Sequence, residues 1–321
     1  MRKIHIIHTG GTISMEEDQR GAVKPGDKHP LSDLSGLFDI EIDVQISEIF
    51  RLPSPHVTLA HMRQLAKGIE EAIHNGGAEG VVVTHGTDTL EETAYFLDLV
   101  LQQNVPIVLT GAMRSNNELG ADGPHNLFSA VEVALCKEAG DKGVLVVMND
   151  EIHTAANVTK THTSNVATFQ SPQYGPIGIV TKRGVNFHHA PTSHDHFPIK
   201  ETTKNVILLK AYAGMDEQIF QALSSLKIDG LVIEALGQGN MPPQTVPQLQ
   251  KYIEKGIPIV LVSRCFNGIA QDVYGYEGGG RMLKELGIIF SNGLNGQKAR
   301  IKLALALETT SNHDVLSQYF T

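Results

Sequence analysis

Residues 84–93, THGTDTLEET, place Thr87, Asp88 and Thr89 just after an apolar run at residues 80–83. The apolar run predicts a buried strand, and the polar stretch behind it predicts the start of a helix. Ligands of open α/β sheets bind outside the carboxyl ends of the strands, so chemistry is expected here. Helix capping is an alternative role for Asp88 or Thr89, because each has a glutamate three residues later, as in a capping box.

Thr12, Ser54 and Lys160 follow other strand-like or extended segments and complete a chemically coherent set with Thr87 and Asp88. A threonine hydroxyl is a poor nucleophile and needs an adjacent base. A lysine can be that base when burial lowers its pKa, with a carboxylate to orient it. A lysine among threonines can equally be solvated surface, so this reading of Lys160 depends on the others.

Strand-like and helical patterns alternate along most of the chain, and this alternation must position those groups. Strands are predicted at 2–8, 42–49, 79–84, 105–110, 143–148, 206–211, 229–234 and 257–262. Helices are predicted at about 59–73, 89–102, 124–139, 216–226, 244–255 and 297–308, with another that ends near 286. Alternation of this length predicts parallel sheets flanked by helices, joined by right-handed crossovers. The fold class is α/β.

Two α/β domains are expected, which suits a chain of 321 residues. Residues 1–185 would form the larger N-terminal domain around a mostly parallel sheet flanked by helices, and residues 206–321 a smaller C-terminal parallel-sheet domain. Residues 186–205, poor in apolar side chains, read as the linker. The long polar loop at 14–30 is typical of a mobile lid.

Composition excludes several classes of function. The net charge of −9 and the absence of Trp argue against nucleic-acid partners. No apolar run approaches the roughly 18 residues of a membrane span, and no leader pattern precedes the first strand, so a cytoplasmic protein is expected. Two cysteines provide neither a disulfide framework nor a paired-cysteine zinc motif.

Neither a cofactor nor a metal is expected. The glycine turn at 9–12 is neither GxGxxG nor a phosphate loop with Gly-Lys-Ser/Thr, which argues against a nucleotide. A metal site is the alternative for the histidines at 188, 189, 194 and 196. No histidine pair there has the i,i+4 spacing on a plausible helix, and this disfavours it.

Several segments, taken together, resemble the bacterial-type L-asparaginases. HTGGTIS at 8–14 and THGTDTLEET at 84–93 look like the two signature segments of that family. LTGAMR at 109–114, TKTHTSN at 159–165, EALGQGN at 234–240 and SNGLN at 291–295 are similar to further family segments. The similarity covers nearly the whole chain, and the combination is far more specific than any one segment.

The resemblance implies hydrolysis of the side-chain amide of L-asparagine to aspartate and ammonia, without metal or cofactor. By motif, Thr12 would be the nucleophile that forms an acyl-enzyme. Thr87, Asp88 and Lys160 would form a second catalytic cluster.

Substrate contacts follow from the same resemblance. Ser54 and the backbone around Gly86 would hold the α-carboxylate, Asp88 would pair with the α-ammonium, and the Ala112 carbonyl would contact the amide. The C-terminal domain of a neighbouring subunit completes the site in this family, which would place Asn240 there and implies a homodimer or homotetramer.

Three departures from the family pattern favour the cytoplasmic type over the secreted one. Ala22 stands where the lid tyrosine is expected. Either another group activates Thr12, such as water, Lys24, His29 or a tyrosine from elsewhere, or the lid works differently. Pro55 follows Ser54 where secreted members commonly carry glutamine. The segment 263–276 does not clearly present the glutamate that secreted members contribute from the neighbour.

Two other functions stay open. One is the amidotransferase subunit that uses this fold to supply ammonia to misacylated tRNA, although those chains carry a domain ahead of the core. The other is a non-catalytic amino-acid sensor, for which the Thr-Asp-Lys set has no obvious use. Glutamine is expected to be a poor substrate, because one extra methylene displaces the amide from a positioned nucleophile.

Overall fold

The chain divides into two compact units, Met1–Ile199 and Lys200–Thr321. The computed structural model describes residues 2–18, 23–25, 42–102, 104–191, 195–201 and 203–320. The division falls inside the segment 186–205, although the strand that precedes it runs to Phe187. Each unit has its own sheet and its own apolar core.

The first unit contains twelve strands and three α-helices within its described residues. The strands are β1 Arg2–His8, β2 Met15–Glu17, β3 Val23–Pro25, β4 Ile42–Glu48, β5 Gly80–Thr84, β6 Ile107–Thr110, β7 Val144–Met148, β8 Glu151–Thr154, β9 Thr159–Lys160, β10 Phe169–Gln170, β11 Gly178–Thr181 and β12 Gly184–Phe187. The helices are α1 Leu59–His74, α2 Leu90–Val100 and α3 Gly123–Leu135. Where elements were predicted, these bounds agree with them to within a few residues, except that the helix expected to reach 139 ends at Leu135. The strands β2, β3 and β8 to β12 were not predicted.

Eight of these strands form one mixed sheet in the order β12-β11-β8-β7-β6-β5-β1-β4 among the described residues. The five from β7 to β4 are parallel, as predicted, whereas β8, β11 and β12 extend the sheet antiparallel. Asn149 and Asp150 cause the reversal after β7, since their φ angles of 51° and 65° are those of a type I′ hairpin turn. The mostly parallel sheet is therefore confirmed, and the antiparallel edge was not foreseen.

The core of this unit lies against the parallel strands. Every residue of β5 is buried, as expected for a strand covered on both faces. Leu127, Ala130 and Ala134 of α3 pack against one face, on residues that include Ile6 and Val82. This buried layer is the rigid base from which the polar loops project.

The second unit is a smaller four-stranded parallel sheet in the order β13-β14-β15-β16. Its strands are β13 Val206–Lys210, β14 Gly230–Ala235, β15 Ile259–Ser263 and β16 Ile289–Phe290, and its helices are α4 Gln218–Leu223, α5 Val246–Glu254, α6 Gly280–Glu285, α7 Gly296–Leu307 and α8 His313–Gln318. The parallel order confirms the predicted fold of this part of the chain. The helix α8 had no counterpart among the sequence predictions.

Among the described helices, none combines the length and the apolar character that crossing a membrane requires.

Gly80 tests how tightly α3 packs on the sheet. A Cβ at this first residue of β5 would overlap the Ala134 carbonyl oxygen and lie 2.8 Å from Ile4 Cδ1. We expect Gly80→Ala to lower the free energy of unfolding by about 1–3 kcal/mol, as overpacking of a dense core does. Urea unfolding measures it. Gly275→Ala, where a Cβ would meet open space, is the matched control and should change stability by less than about 0.5 kcal/mol. Equal stabilities of the two variants would contradict this packing.

Candidate active site

The strand order creates a switch point between β1 and β5. From β1 the chain crosses to β4 on one side, whereas β5, β6 and β7 add successively on the other. Loops that leave adjacent strands in opposite directions leave a crevice at the carboxyl ends, which is where open α/β sheets bind ligands. The strands end at His8 and Thr84. The segments carrying Thr12 and Thr87 therefore flank this crevice.

Hydrogen bonds tie the ends of the two strands together. Thr84 Oγ1 lies 2.7 Å from His8 Nδ1, and the Thr84 carbonyl accepts from the Thr9 hydroxyl at 2.8 Å and the Thr9 amide at 3.1 Å. All three residues are buried. These buried hydrogen bonds fix the backbone from which both loops depart.

Glycine backbones bring three loops into contact above these strand ends. Gly11 has a φ of 89°, which favours glycine, and a Cβ there would overlap the Cα of Gly86. A Cβ on Gly86 would lie 2.7 Å from the Cβ of Ser54. Thr12 follows at the start of a 3₁₀ turn, Thr12–Ser14. The structure thus brings the Thr12 segment against the backbone at Gly86, which in turn lies against Ser54.

Ser54 connects its loop to the start of α2. Its hydroxyl accepts from the Asp88 amide at 3.2 Å, and its carbonyl accepts from the Thr89 hydroxyl at 2.9 Å. Thr89 does occupy the N-cap position of α2, but its side chain makes no capping hydrogen bond. The capping-box hypothesis was therefore right about the position and wrong about the bond: the Thr89 hydroxyl instead donates to the Ser54 carbonyl.

Lys160 meets Thr87 and Asp88 in space, as the sequence predicted. Its ammonium donates to Thr87 Oγ1 at 3.0 Å and pairs with Asp88 Oδ1 at 2.7 Å. The Lys160 side chain is 16% exposed and that of Asp88 is 59% exposed, so one partner is enclosed while the other faces outward. Because the Thr87 oxygen accepts from the ammonium, its own hydrogen can be donated to a third group.

Ala112 lies in the loop after β6, on the other side of β5. An added Cβ on Gly123 would lie 3.3 Å from Ala112 Cβ and 3.0 Å from Ile13 Cγ1, so Ala112 and the residue after Thr12 share one neighbour. Asp122 holds this loop by accepting from the backbone amides of Met113 and Arg114 at 3.0 Å and 2.9 Å. The loop carrying Ala112 therefore adjoins the Thr12 segment.

Asn240, expected at a neighbour's site, lies in the second unit after β14. Its side-chain oxygen accepts from the Gly280 amide at 3.2 Å, and its backbone pairs with Leu236. The predictions about the group that activates Thr12 involve three residues of the lid. Ala22 and His29 lie outside the described residues, and of Lys24 only the backbone, in β3, is described.

No group of three or more His, Cys, Asp or Glu side chains in the described ranges is arranged to hold a metal ion. His194 of the histidine-rich segment is not among those residues.

His85 is a residue of this site that the sequence interpretation missed. It is fully buried, with Nδ1 2.8 Å from the Gly86 carbonyl and Nε2 3.0 Å from the Thr93 hydroxyl. A carbonyl only accepts, so Nδ1 carries the hydrogen and Nε2 accepts from Thr93. Burial lowers the pKa of His85 to about 4, while the bond to Gly86 works in the opposite direction. A neutral imidazole thus orients the Gly86 carbonyl beside Thr87.

Stability should depend on pH through His85. Its pKa is about 4 in the folded protein, against the ordinary histidine value of 6.5, so the unfolded chain binds the extra proton between these pH values. The free energy of unfolding is therefore highest above pH 6.5 and falls as the pH drops toward 4, by about 1.4 kcal/mol per unit within that window. Chemical denaturation at pH 7, 6 and 5 measures this slope.

The slope is assigned by comparing variants. His85→Gln should be less stable than wild type at pH 7 but should lose less stability on acidification. His74→Gln, at an exposed position of α1, should keep the wild-type slope. A wild-type slope in His85→Gln would show that this imidazole is not the group responsible.

Comparisons with known proteins agree with this architecture. The family model described as "Asparaginase, N-terminal" matches residues 3–193, and that described as "Glutaminase/Asparaginase C-terminal domain" matches residues 205–320. The chain is 42% identical to a probable L-asparaginase of Deinococcus radiodurans over 326 aligned positions, which cover 99% of this chain and 97% of the relative. It is 33% identical to an L-asparaginase of Bacillus licheniformis, with 95% of each covered.

A solved structure agrees as well. The crystal structure of a probable cytoplasmic L-asparaginase from Campylobacter jejuni matches with a TM-score of 0.86 and 33% identity, over 100% of this chain and 99% of that one. Since the two family models together, and each of the two relatives, cover nearly its whole length, the chain belongs to the asparaginase family.

Proposed function

We propose that this protein is an L-asparaginase that hydrolyses the side-chain amide of L-asparagine to L-aspartate and ammonia. The observation that carries the proposal is the Thr87-Asp88-Lys160 cluster at the β1/β5 switch point, with Lys160 Nζ 3.0 Å from Thr87 Oγ1 and 2.7 Å from Asp88 Oδ1. Family membership supports the reaction class, because the relatives compared above are named L-asparaginases.

In the proposed reaction, the Thr12 oxygen attacks the amide carbon. The carbon-nitrogen bond breaks, the hydroxyl proton leaves with the nitrogen as ammonia, and an ester to Thr12 remains. Water then attacks the ester, its oxygen stays in the new carboxyl group, and Thr12 regains its proton. Lys160, Thr87 and Asp88 move and stabilise charge during these steps. This role suits an enclosed ammonium that already donates to a hydroxyl.

Substrate recognition in the proposal uses paired opposite charges. The Asp88 carboxylate, 59% exposed, receives the α-ammonium, while Ser54 and the Gly86 backbone receive the α-carboxylate. Ser54 Oγ already accepts from the Asp88 amide, so its own hydrogen is available to a carboxylate. The Ala112 carbonyl contacts the amide nitrogen, and no metal or cofactor is required.

The proposal extends to assembly and location. Asn240 of a second copy would complete the site, so the working form is a homodimer or homotetramer rather than a monomer. A cytoplasmic location is supported by the similarity to the Campylobacter jejuni protein, whose name includes "cytoplasmic".

Removing either threonine hydroxyl should abolish turnover. We expect Thr12→Ala and Thr87→Val to lower kcat for L-asparagine by at least about 10³-fold, because loss of a nucleophile or its partner leaves only binding and electrostatic contributions. Coupled ammonia release measures kcat. Thr12→Ser and Thr87→Ser keep a hydroxyl and should retain more activity than Thr12→Ala and Thr87→Val. Near-wild-type rates in both hydroxyl-free variants would refute the proposal. Aspartate binding by the wild type without hydrolysis would favour the sensor function instead.

Discrimination against L-glutamine follows from the fixed position of the nucleophile. Glutamine is longer by one methylene, and when Asp88 and Ser54 anchor its α-groups, its amide is displaced from Thr12. We expect kcat/KM for glutamine to be lower by about 10–200-fold, the usual effect of one methylene. Parallel assays of the two amides at equal enzyme concentration test this. Comparable kcat/KM values would mean that the α-groups are not anchored as proposed.

A further inference from the structure

Glu91 is a buried carboxylate close to the proposed site that has no role in the reaction described above. It lies in the first turn of α2 and is 5% exposed. Its Oε1 accepts from the Thr159 hydroxyl at 3.1 Å and from the Lys160 amide at 3.3 Å. Burial of a carboxylate is costly unless hydrogen bonds satisfy it. These contacts therefore connect α2 to the strand that carries Lys160.

That strand needs such a connection because it lies outside the eight-stranded sheet. β9 and β10 form a separate two-stranded ribbon in which Lys160 pairs with Phe169 and Thr159 with Gln170. A two-stranded ribbon is marginally stable alone. The turn is held by its own bonds, such as that from the Thr161 hydroxyl to the Thr168 carbonyl at 2.8 Å. These local bonds shape the ribbon but do not set its distance from Thr87.

The segment that contains Thr87 holds Lys160 at both ends. Asp88 pairs with the ammonium at 2.7 Å, and Glu91, three residues later, accepts from the backbone amide of the same lysine. The segment 87–91 thus binds Lys160 both at its ammonium and at its backbone amide. Movement of the ribbon away from α2 would lengthen the contact between Lys160 and Thr87.

We propose that Glu91 is a positioning residue, which fixes the β9–β10 ribbon on α2 and thereby sets the distance from Lys160 Nζ to Thr87 Oγ1. The inference rests on the proposed function for its effect on rate, but not for its effect on geometry. Acceptance of the two hydrogen bonds by an oxygen is the required property. The negative charge of Glu91 is not required, because the charge that pairs with Lys160 is that of Asp88.

This property predicts different results for two substitutions. Glu91→Gln keeps a side-chain oxygen and should retain kcat within about threefold of wild type, whereas Glu91→Ala should lower kcat by about 10²-fold, as a displacement near 1 Å can. KM should change much less than kcat in Glu91→Ala, since a contact that acts in the transition state is lost. Thr159→Val removes one of the two donors and should lower kcat less than Glu91→Ala does. Thr159→Ser keeps the hydroxyl and should retain the wild-type kcat.

The experiment uses the full chain, with L-asparagine kinetics, thermal unfolding and crystal structures of wild type and Glu91→Ala. Glu92→Ala is the matched control, because it removes an acidic residue from the same helical turn and should leave kcat unchanged. If Glu91 serves only the helix, the two alanine variants lose stability alike and kcat per folded molecule stays at the wild-type value. That outcome overturns the proposal.

The crystal structures separate this inference from the proposed function. A longer distance from Lys160 Nζ to Thr87 Oγ1 in Glu91→Ala than in the wild-type crystal structure supports positioning even if the wild type does not hydrolyse asparagine. An unchanged distance overturns it. If Glu91→Ala does not fold, Thr159→Val decides in the same way, through the same distance and through kcat.

Discussion

The close approach of backbones at the β1/β5 switch point is the constraint on which the rest of the site depends. Gly11 meets Gly86 where no Cβ would fit, and Gly86 in turn packs on Ser54. Any side chain at these glycines would separate the loops, because protein interiors are close-packed and cannot absorb the extra volume. The segment that carries Thr12 owes its place beside Gly86 to this absence of side chains.

Buried polar groups hold in place the segments that carry the residues proposed to touch substrate. His85 is neutral, fixes the Gly86 carbonyl and is itself held by Thr93. Glu91 connects the same segment to the ribbon of Lys160. Such networks are rigid when every member is satisfied, because a low local dielectric strengthens each bond and penalises its loss. They allow short loops to hold side chains at defined distances.

Charge is distributed so that one partner is enclosed and the other is open. Lys160 is largely covered, and Asp88, with which it pairs, presents a half-exposed carboxylate. A zwitterionic amino acid requires an anionic group for its ammonium and donors for its carboxylate. Asp88 and Ser54 offer both side by side, because the Asp88 amide donates to the Ser54 hydroxyl oxygen. The same carboxylate would thus link substrate binding to the proposed Lys160-Thr87 pair.

Local pattern alone predicted much of the fold and part of the site. The alternation of strands and helices predicted the parallel strands β1, β4, β5, β6 and β7 and the second sheet. Burial on both faces imposes continuous apolar runs on central strands such as β5, whereas the edge strand β4 alternates. Asn149-Asp150 was a readable turn signal that was missed, and with it the antiparallel edge. Thr87 and Asp88 were recognisable because polar groups directly followed a buried strand.

What the tertiary structure decided are the contacts between segments distant in sequence. Thr87 and Lys160 are separated by 73 positions, and Glu91 and Thr159 by 68, yet each pair is joined by a hydrogen bond. The Thr89 hydroxyl likewise donates to the Ser54 carbonyl, 35 positions away, and makes no capping bond. Spacing along the chain fixes only neighbours within a helix or strand. Distances across the crevice depend on the strand order and on the packing of the whole sheet. Residues from many separate segments determine both, so the spacing within one segment does not reveal them.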